Sequence, residues 1–259
     1  MNGNDICAKM IAAEREAAEL MLHAHGVLAE CKSGRRDVVT DYDRRVQELL
    51  TARLSEAVPG AKFFCEENDR RDDLAAPELF IIDPIDGTMN FVHGLNHSCI
   101  SAAYSRAGEL TAAAVYNPYV GEMFSAVRGQ GAFLNGRPIR VYEGALCESV
   151  VCCGTAPYSA ELTDRSFEIM KRAFLGSLDL RRQGSAELDL CSVAAGRAGA
   201  YVELSVSLWD YAAGALIVGE AGGVCMTDGG APLPFGAGKT GIIAGGRRAA
   251  AELLALARG

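Results

Sequence analysis

The chain has 259 residues, 49% of them hydrophobic and 22% charged, which suits a globular protein with a substantial core. Its net charge of −8 argues against general nucleic-acid binding, because no basic surplus is present to displace phosphate counterions. The start, "MNGNDICAKMIAAERE", lacks a basic-then-apolar leader and no apolar run is long enough to cross a bilayer, so a cytoplasmic protein without membrane partners is expected.

Apolar positions 6, 10, 13, 17, 20, 24, 27 and 31 step by four and three, which predicts an amphipathic helix over 5–31. "KSGRRDVVTDYD" interrupts the pattern, and a second helix follows near 42–57. "AKFFCEEN" is a short apolar run closed by Glu66 and Glu67. "ELFII" is a second one, closed by Asp83. The ends of these two runs can lie side by side.

From 98 to 141, four strand-like stretches are separated by turn pairs, which reads as an antiparallel meander. Asn135-Gly136 is the strongest signal, since both residues tolerate the positive φ of a type I′ hairpin. After about 145, strands at "SVVCCG", "LDLRRQ" and "AYVEL" precede helices near 160–175, 186–197 and 210–221. That alternation indicates an α/β lobe. Nine cysteines without CxxC pairs, several among apolar neighbours, read as buried thiols. His23, His25, His93 and His97 read as structural or surface groups.

Two carboxylates in "DPIDGT" stand out. Pro84 forces Asp83 into an extended conformation, so the chain is expected to leave the strand after Ile82 and turn sharply. Gly87-Thr88 opens a helical turn whose N–H groups suit a phosphate. Two carboxylates beside an anion site repel it unless a hard cation lies between them, and Mg²⁺ fits, with Glu66 and Glu67 able to complete a multi-metal cluster. An Asx turn explains Asp86-Gly87 alone but not Asp83 directly after four apolar residues. Asp210 precedes a small-residue helix that ends at Gly222-Gly223, where it serves either as an N-cap or as a further ligand. Thr40, Asp41 and Asp43 precede the second helix, where capping is the simple reading.

Taken together, these stretches resemble the inositol monophosphatase family. The family's Asp-Pro-Ile/Leu-Asp-Gly-Thr-x-Asn-Phe signature stands at Asp83 to Phe91. Its Trp-Asp-x-Ala-Ala-Gly…Glu-Ala-Gly-Gly signature stands at Trp209 to Gly214 and Glu220 to Gly223. The Glu66-Glu67 pair and Thr40 to Asp43 match further motifs, in the family's order, over nearly the whole chain. Cys65, where the family commonly has glycine, and Arg35-Arg36 are departures that remove no ligand.

The resemblance implies a layered αβαβα sandwich of the inositol monophosphatase and fructose-1,6-bisphosphatase type. An α+β lobe with an antiparallel sheet would span 1–144, and an α/β lobe 145–259. It implies that Glu66, Asp83 and the Ile85 carbonyl hold one Mg²⁺, that Asp83, Asp86 and Asp210 hold a second, and that a weaker third lies near Glu66 and Glu67. Thr88, paired with Asp43, would orient and help deprotonate a metal-activated water, with Glu66 also counted as catalytic. Asp86, Gly87, Thr88, Gly184, Ser185, Ala186, Glu203 and Asp210 would contact substrate.

The implied reaction is hydrolysis of inositol monophosphate or a similar polyol or sugar phosphate, with lithium inhibition and a homodimer. Fructose-1,6-bisphosphatase, 3′(2′),5′-bisphosphate nucleotidase and histidinol-phosphate phosphatase activities are alternatives on the same scaffold. A regulatory protein that binds a phosphorylated ligand without turnover is the non-enzyme alternative.

Overall fold

The computed structural model describes residues 2–34, 37–67, 73–157 and 159–259. Helix α1 (Gly3–Leu22) starts at a capping box: the Asn2 side chain accepts from the Asp5 N–H at 2.9 Å, and Asp5 returns a bond to the Asn2 N–H. It ends at His23, well short of the helix expected over 5–31. Gly26 is left-handed, and residues beyond it form β1 (Ala29–Gly34), paired antiparallel with β2 (Asp37–Thr40). A strand pairing therefore overrode the last third of the helical period. The stretch expected to be only a polar interruption carries this hairpin; Arg35 and Arg36 lie outside the described residues. Helix α2 (Asp41–Ala57) follows, capped by Thr40.

A seven-stranded sheet then forms in chain order: β3 (Lys62–Cys65), β4 (Glu78–Asp86), β5 (Cys99–Arg106), β6 (Glu109–Asn117), β7 (Glu122–Val127), β8 (Ala132–Leu134) and β9 (Arg137–Ile139). The pair β3·β4 is parallel and the other neighbours are antiparallel, so the expected antiparallel sheet carries one parallel edge. Asn135 and Gly136, at φ +50° and +75°, make the β8–β9 turn as their sequence requires.

The second sheet contains β10 (Val150–Cys153), β11 (Asp179–Arg181), β12 (Ala200–Val206), β13 (Val224–Met226) and β14 (Thr240–Gly245), in the order β11-β10-β12-β14-β13. Helices α4 (Thr163–Gly176), α5 (Ala186–Ala194), α6 (Ala212–Glu220) and α7 (Arg247–Arg258) complete it; a short α3 (Thr88–Val92) follows β4. The segment holding β13, β14 and α7 had no element assigned from sequence.

Side-chain alternation along the strands builds the layers. Phe63, Phe80, Ile82 and Tyr104 face α1 and α2, in one core with Met10 and Leu50. Phe64, Ile81 and Val115 face the other way, into a core shared with Leu190 of α5, Ile217 of α6, and Tyr201 and Ile242 of the second sheet. Val151, Val202 and Ile243 face Ile169 of α4 and Leu253 of α7. The result is α1/α2, sheet, α5/α6, sheet, α4/α7, the layered sandwich expected from the sequence. All nine cysteines are unpaired, and Cys152 and Cys153 are buried.

Candidate active site

At the site, β4 departs from the expected end at Ile82. The strand does not stop at Ile82. Asp83 pairs with Ser101 and Asp86 with Cys99, and the register shifts between them. Pro84 and Ile85 thus face one residue of β5, which is a bulge, and a bulge tolerates a proline that has no ladder N–H. The Asp83 carboxylate accepts the Ile85 N–H at 3.1 Å. The bulge turns both aspartates toward one cleft while the ladder around them persists.

Glu66 reaches the same place from β3. Cys65 pairs with Ile82, and the Glu66 N–H extends the ladder to the Ile82 carbonyl at 3.1 Å. The two apolar runs do end side by side, and Glu66 and Asp83 share a hydrogen bond between their carboxyl groups. Glu67 is buried and is not among the residues lining the cleft; its backbone carbonyl and N–H are both held by the Gln47 amide (2.6 and 3.1 Å).

The cleft encloses about 500 Å³. Glu66, Asp83, Ile85, Asp86 and Asp210 line it, as do Gly87, Thr88, Gly184, Ser185, Ala186 and Glu203. Gly87 is left-handed (φ +85°), and a Cβ there would come within 3.1 Å of the Gly184 and His97 carbonyls. The close approach of the β4 end to the Gly184 turn and to His97 therefore requires glycine. Asn90 ties the same junction, donating to the His97 and Gln183 carbonyls at 2.7 and 2.8 Å.

Asp86 crosses the junction. Its carboxylate accepts from Ser185 Oγ (2.6 Å) and from the Glu187 and Ala186 N–H groups (2.7 and 3.3 Å) at the start of α5. Ser185 also caps that helix through the Leu188 N–H. Asp210 behaves differently from the helix cap considered above. It closes a short 3-10 turn and accepts the Ser207 N–H at 2.6 Å. The free N–H groups of α6 are met by Glu187, which accepts from Gly214 at 2.6 Å and Ala213 at 3.3 Å. A carboxylate from a neighbouring helix has taken the capping role, a tertiary contact with no local signal.

Thr88 Oγ1 lies 3.3 Å from Asp43 Oδ1 and 3.0 Å from the Ile85 carbonyl. Asp43 is wholly buried behind the cleft wall, its other oxygen held by the Thr40 N–H (2.8 Å) and hydroxyl (2.5 Å). Capping and the Thr88 contact are thus both present in one residue. Glu203 is half-buried, accepting from Tyr201 Oη at 2.7 Å and the Ala156 N–H at 3.0 Å.

Burial pushes Asp83 well above the carboxylate range, and repulsion from Glu66, Asp86 and Asp210 adds to it. Burial raises Asp86 to about 6, against the lowering effect of Ser185 and the α5 N–H groups. Asp210 is raised by burial and then by Glu66. Mutual repulsion among buried carboxylates is relieved by protonation or by a cation.

The donor set fits a hard cation: carboxylate oxygens and the Ile85 carbonyl. Among the described residues no three Asp, Glu, His or Cys side chains are already closed around one point as a metal cage. Mg²⁺ does not need such a cage, since one or two carboxylates with waters and phosphate oxygens complete its shell.

Two mixed sheets around a shared pair of helices, with an acidic cleft at the bulged end of a strand, define a layered α/β sandwich with a candidate cation-binding cleft. The chain belongs to the inositol monophosphatase family, whose model matches residues 4–259. Among curated proteins it is similar to an inositol-1-monophosphatase of Rhizobium meliloti (40% identity over 208 residues; 78% of this chain, 77% of that one). It is also similar to the Nus factor SuhB of Pasteurella multocida (39% over 196 residues; 75% of this chain, 73% of that one). Among solved structures, the extragenic suppressor protein suhB from Bartonella henselae superposes with a TM-score of 0.91 (31% identity; 98% of each chain). An IMPase/NADP phosphatase complexed with Mg²⁺ and phosphate superposes with a TM-score of 0.83 (25% identity; 97% of this chain, 92% of that one).

Arg182, Lys239 and Gln47 were missed from sequence. Arg182 and Lys239 line the cleft, and Gln47 holds the Glu67 backbone. Arg182 adjoins the expected Gly184-Ser185-Ala186 turn, which was the only available signal.

Proposed function

We propose that the chain is a Mg²⁺-dependent phosphomonoesterase acting on inositol monophosphate or a similar polyol or sugar phosphate. The observation that carries this is the convergence of Glu66, Asp83, Asp86 and Asp210 on one cleft, in mutual repulsion and beside the Gly87-Thr88 turn. Glu66, Asp83, the Ile85 carbonyl, Asp86 and Asp210 would hold the metal. When bound, Mg²⁺ offsets the phosphate charge and favours ionisation of water.

The protein's own contribution begins with Thr88. A water accepted at its hydroxyl passes a proton to Thr88 Oγ1 as Thr88 passes its own to Asp43 Oδ1. Thr40 holds Asp43 in place for this. The water oxygen forms the new bond to phosphorus, the ester P–O bond breaks, the leaving alkoxide takes a proton from bulk water, and Asp43 returns the proton it accepted to solvent through Thr88. The Gly87 and Thr88 N–H groups face the phosphate, and Ser185 keeps Asp86 oriented. Glu203, with a spare lone pair on each oxygen, accepts from substrate hydroxyls.

Phosphate release from inositol 1-phosphate, with and without Mg²⁺, tests the reading. Mg²⁺-dependent release that falls at least about 100-fold in Asp83→Asn supports it. No release from any member of a sugar-phosphate panel sinks it. Lithium inhibition and a homodimer belong to the same reading and are read by LiCl titration and light scattering. The relatives named Nus factor SuhB favour a second reading, a regulatory protein that keeps the cleft for binding. Phosphate binding without turnover would select it.

A further inference from the structure

Helix α6 starts without a cap of its own. Tyr211, the residue before its first turn, makes no side-chain capping bond, and Ala212 and Ala213 are buried away from water. Glu187 supplies the missing acceptor from α5. Its carboxylate takes the Gly214 N–H at 2.6 Å and the Ala213 N–H at 3.3 Å, just beyond the turn that carries Asp210. The main chain of the same residue serves a second cleft carboxylate, since the Glu187 N–H donates to Asp86 Oδ2 at 2.7 Å. One residue thus holds Asp86 through its backbone and the helix start behind Asp210 through its side chain.

Filling space does not account for a carboxylate at this position. Glu187 is wholly buried. Burial, and then repulsion from Asp86, push it well above the carboxylate range; the Gly214 and Ala213 N–H groups oppose this, and Asp210 adds to it. No Lys or Arg is among the groups acting most strongly on it. An apolar side chain of similar size would avoid that cost. The two helices also close tightly on the carboxylate. A Cβ at Gly214 would come within 2.6 Å of Glu187 Oε2 and of Leu190 Cβ, so Glu187 is wedged between the first turns of α5 and α6.

From this geometry we propose that Glu187 is a positioning residue for the cation held by Asp86 and Asp210, fixing the two carboxylates at the spacing the cation requires. It lies outside the cleft wall and acts through its neighbours. Its side chain sets where α6 begins, and with it the turn that presents Asp210; its N–H orients Asp86. Groups that orient ligands in this way govern metal affinity without touching the metal. The proposal rests on the reading of Asp86 and Asp210 as Mg²⁺ ligands and adds a residue that belongs to neither ligand's own stretch of chain.

Isothermal titration calorimetry with MgCl₂ at one fixed pH reads Mg²⁺ binding without turnover, in the wild type, Glu187→Ala, Glu187→Met and Glu187→Gln, with Tm in EDTA recorded for each. Glu187→Ala and Glu187→Met, which lack an acceptor, are expected to raise the Mg²⁺ Kd about tenfold or more. Glu187→Gln, whose amide oxygen still accepts one N–H, is expected to raise it only about threefold. Leu253→Ala, in the core between the second sheet and α7, is the control; it lowers Tm and leaves the Kd unchanged. A Kd in either acceptor-free variant within about twofold of the wild type overturns the proposal, because Glu187 then serves stability alone. Should neither variant fold, Glu187→Gln decides in the same way. A Glu187→Gln Kd as weak as that of Glu187→Ala assigns the effect to charge and overturns positioning, and a control that weakens Mg²⁺ equally overturns it through general loosening. A wild type that binds no Mg²⁺ overturns it together with the cation reading. Mg²⁺ binding that depends on Glu187 in a protein releasing no phosphate from any ester upholds the proposal and overturns the phosphatase reading.

Discussion

Ser185 donates its hydroxyl proton to Asp86 across 2.6 Å, joining the bulged end of β4 to the first turn of α5. One hydroxyl therefore does two things: it caps a helix and it fixes a carboxylate of the cleft. Removing it in Ser185→Ala should cost about 1.5–3 kcal/mol, the range for a hydrogen bond to a charged group. Urea unfolding at pH 7 measures this, and an unchanged midpoint would show that Asp86 is held by the α5 N–H groups alone.

The Thr88 hydroxyl bridges Asp43 to the cleft wall at 3.3 Å. Thr88→Ala should lower kcat by about 100-fold or more, the usual scale for a lost proton-transfer group. The apparent Mg²⁺ requirement should move much less, because the carboxylates are untouched. A variant with near-normal kcat and weak Mg²⁺ response would take Thr88 out of the proton path.

The raised carboxyls make stability depend on pH in a defined direction. Asp86 titrates at about 6 in the fold against an ordinary value of 3.8, so the folded state holds its proton more tightly than the unfolded state. Its stabilising contribution is complete below the ordinary value and is lost as pH rises through about 6. Asp83 and Asp210, also raised by burial, add to the loss in the same direction. In EDTA, Tm should fall between pH 5 and pH 8. Added Mg²⁺ should raise Tm more at pH 8 than at pH 5, since it binds the ionised forms. Equal Mg²⁺ stabilisation at both pH values would show that these carboxylates are not where the ion binds.

Glu14 lies on α1 with no exposed surface, in the layer between α1 and the seven-stranded sheet. Burial, followed by repulsion from Glu187, pushes it well above the carboxylate range. It takes no part in the cleft. Glu14→Met keeps the volume and removes a group that is costly to ionise there, by about 1 kcal/mol or more. Thermal melts should show a higher Tm for the variant at pH 8 and a smaller gain at pH 5; a lower Tm at pH 8 would mean that the carboxyl has a necessary partner.

Much of the site was legible because its residues sit in short, ordered stretches. An aspartate directly after four buried residues, a proline that cannot donate to a ladder, and a glycine before a helical turn each have local physical meanings. Those meanings agree at Asp83, Pro84 and Gly87. The pairing of Glu66 beside Asp83 followed from two apolar runs ending in acids. Helix α1 was read too long because a period of 3.6 continues through Ala24, Val27 and Cys31, whereas the hairpin of β1 and β2 satisfies the same backbone groups by pairing. β14 and α7 do carry local patterns, the apolar run Ile242-Ile243-Ala244 and the buried positions Ala249, Ala250, Leu253 and Ala257 at helical spacing, although no element was expected there.

Sequence by itself indicated α2, the meander with its Asn135-Gly136 turn, and the cleft carboxylates Glu66, Asp83, Asp86 and Asp210, because each depends on neighbours within a few positions along the chain. Only the tertiary structure decided which group serves which. Glu187 caps α6 where Asp210 was a candidate, Gln47 of α2 holds the Glu67 backbone, and Arg182 and Lys239 both line the cleft near Glu203 although they stand 57 positions apart in the numbering. These outcomes depend on packing two sheets around α5 and α6, and a contact made by layers meeting has no period or spacing in the chain that makes it.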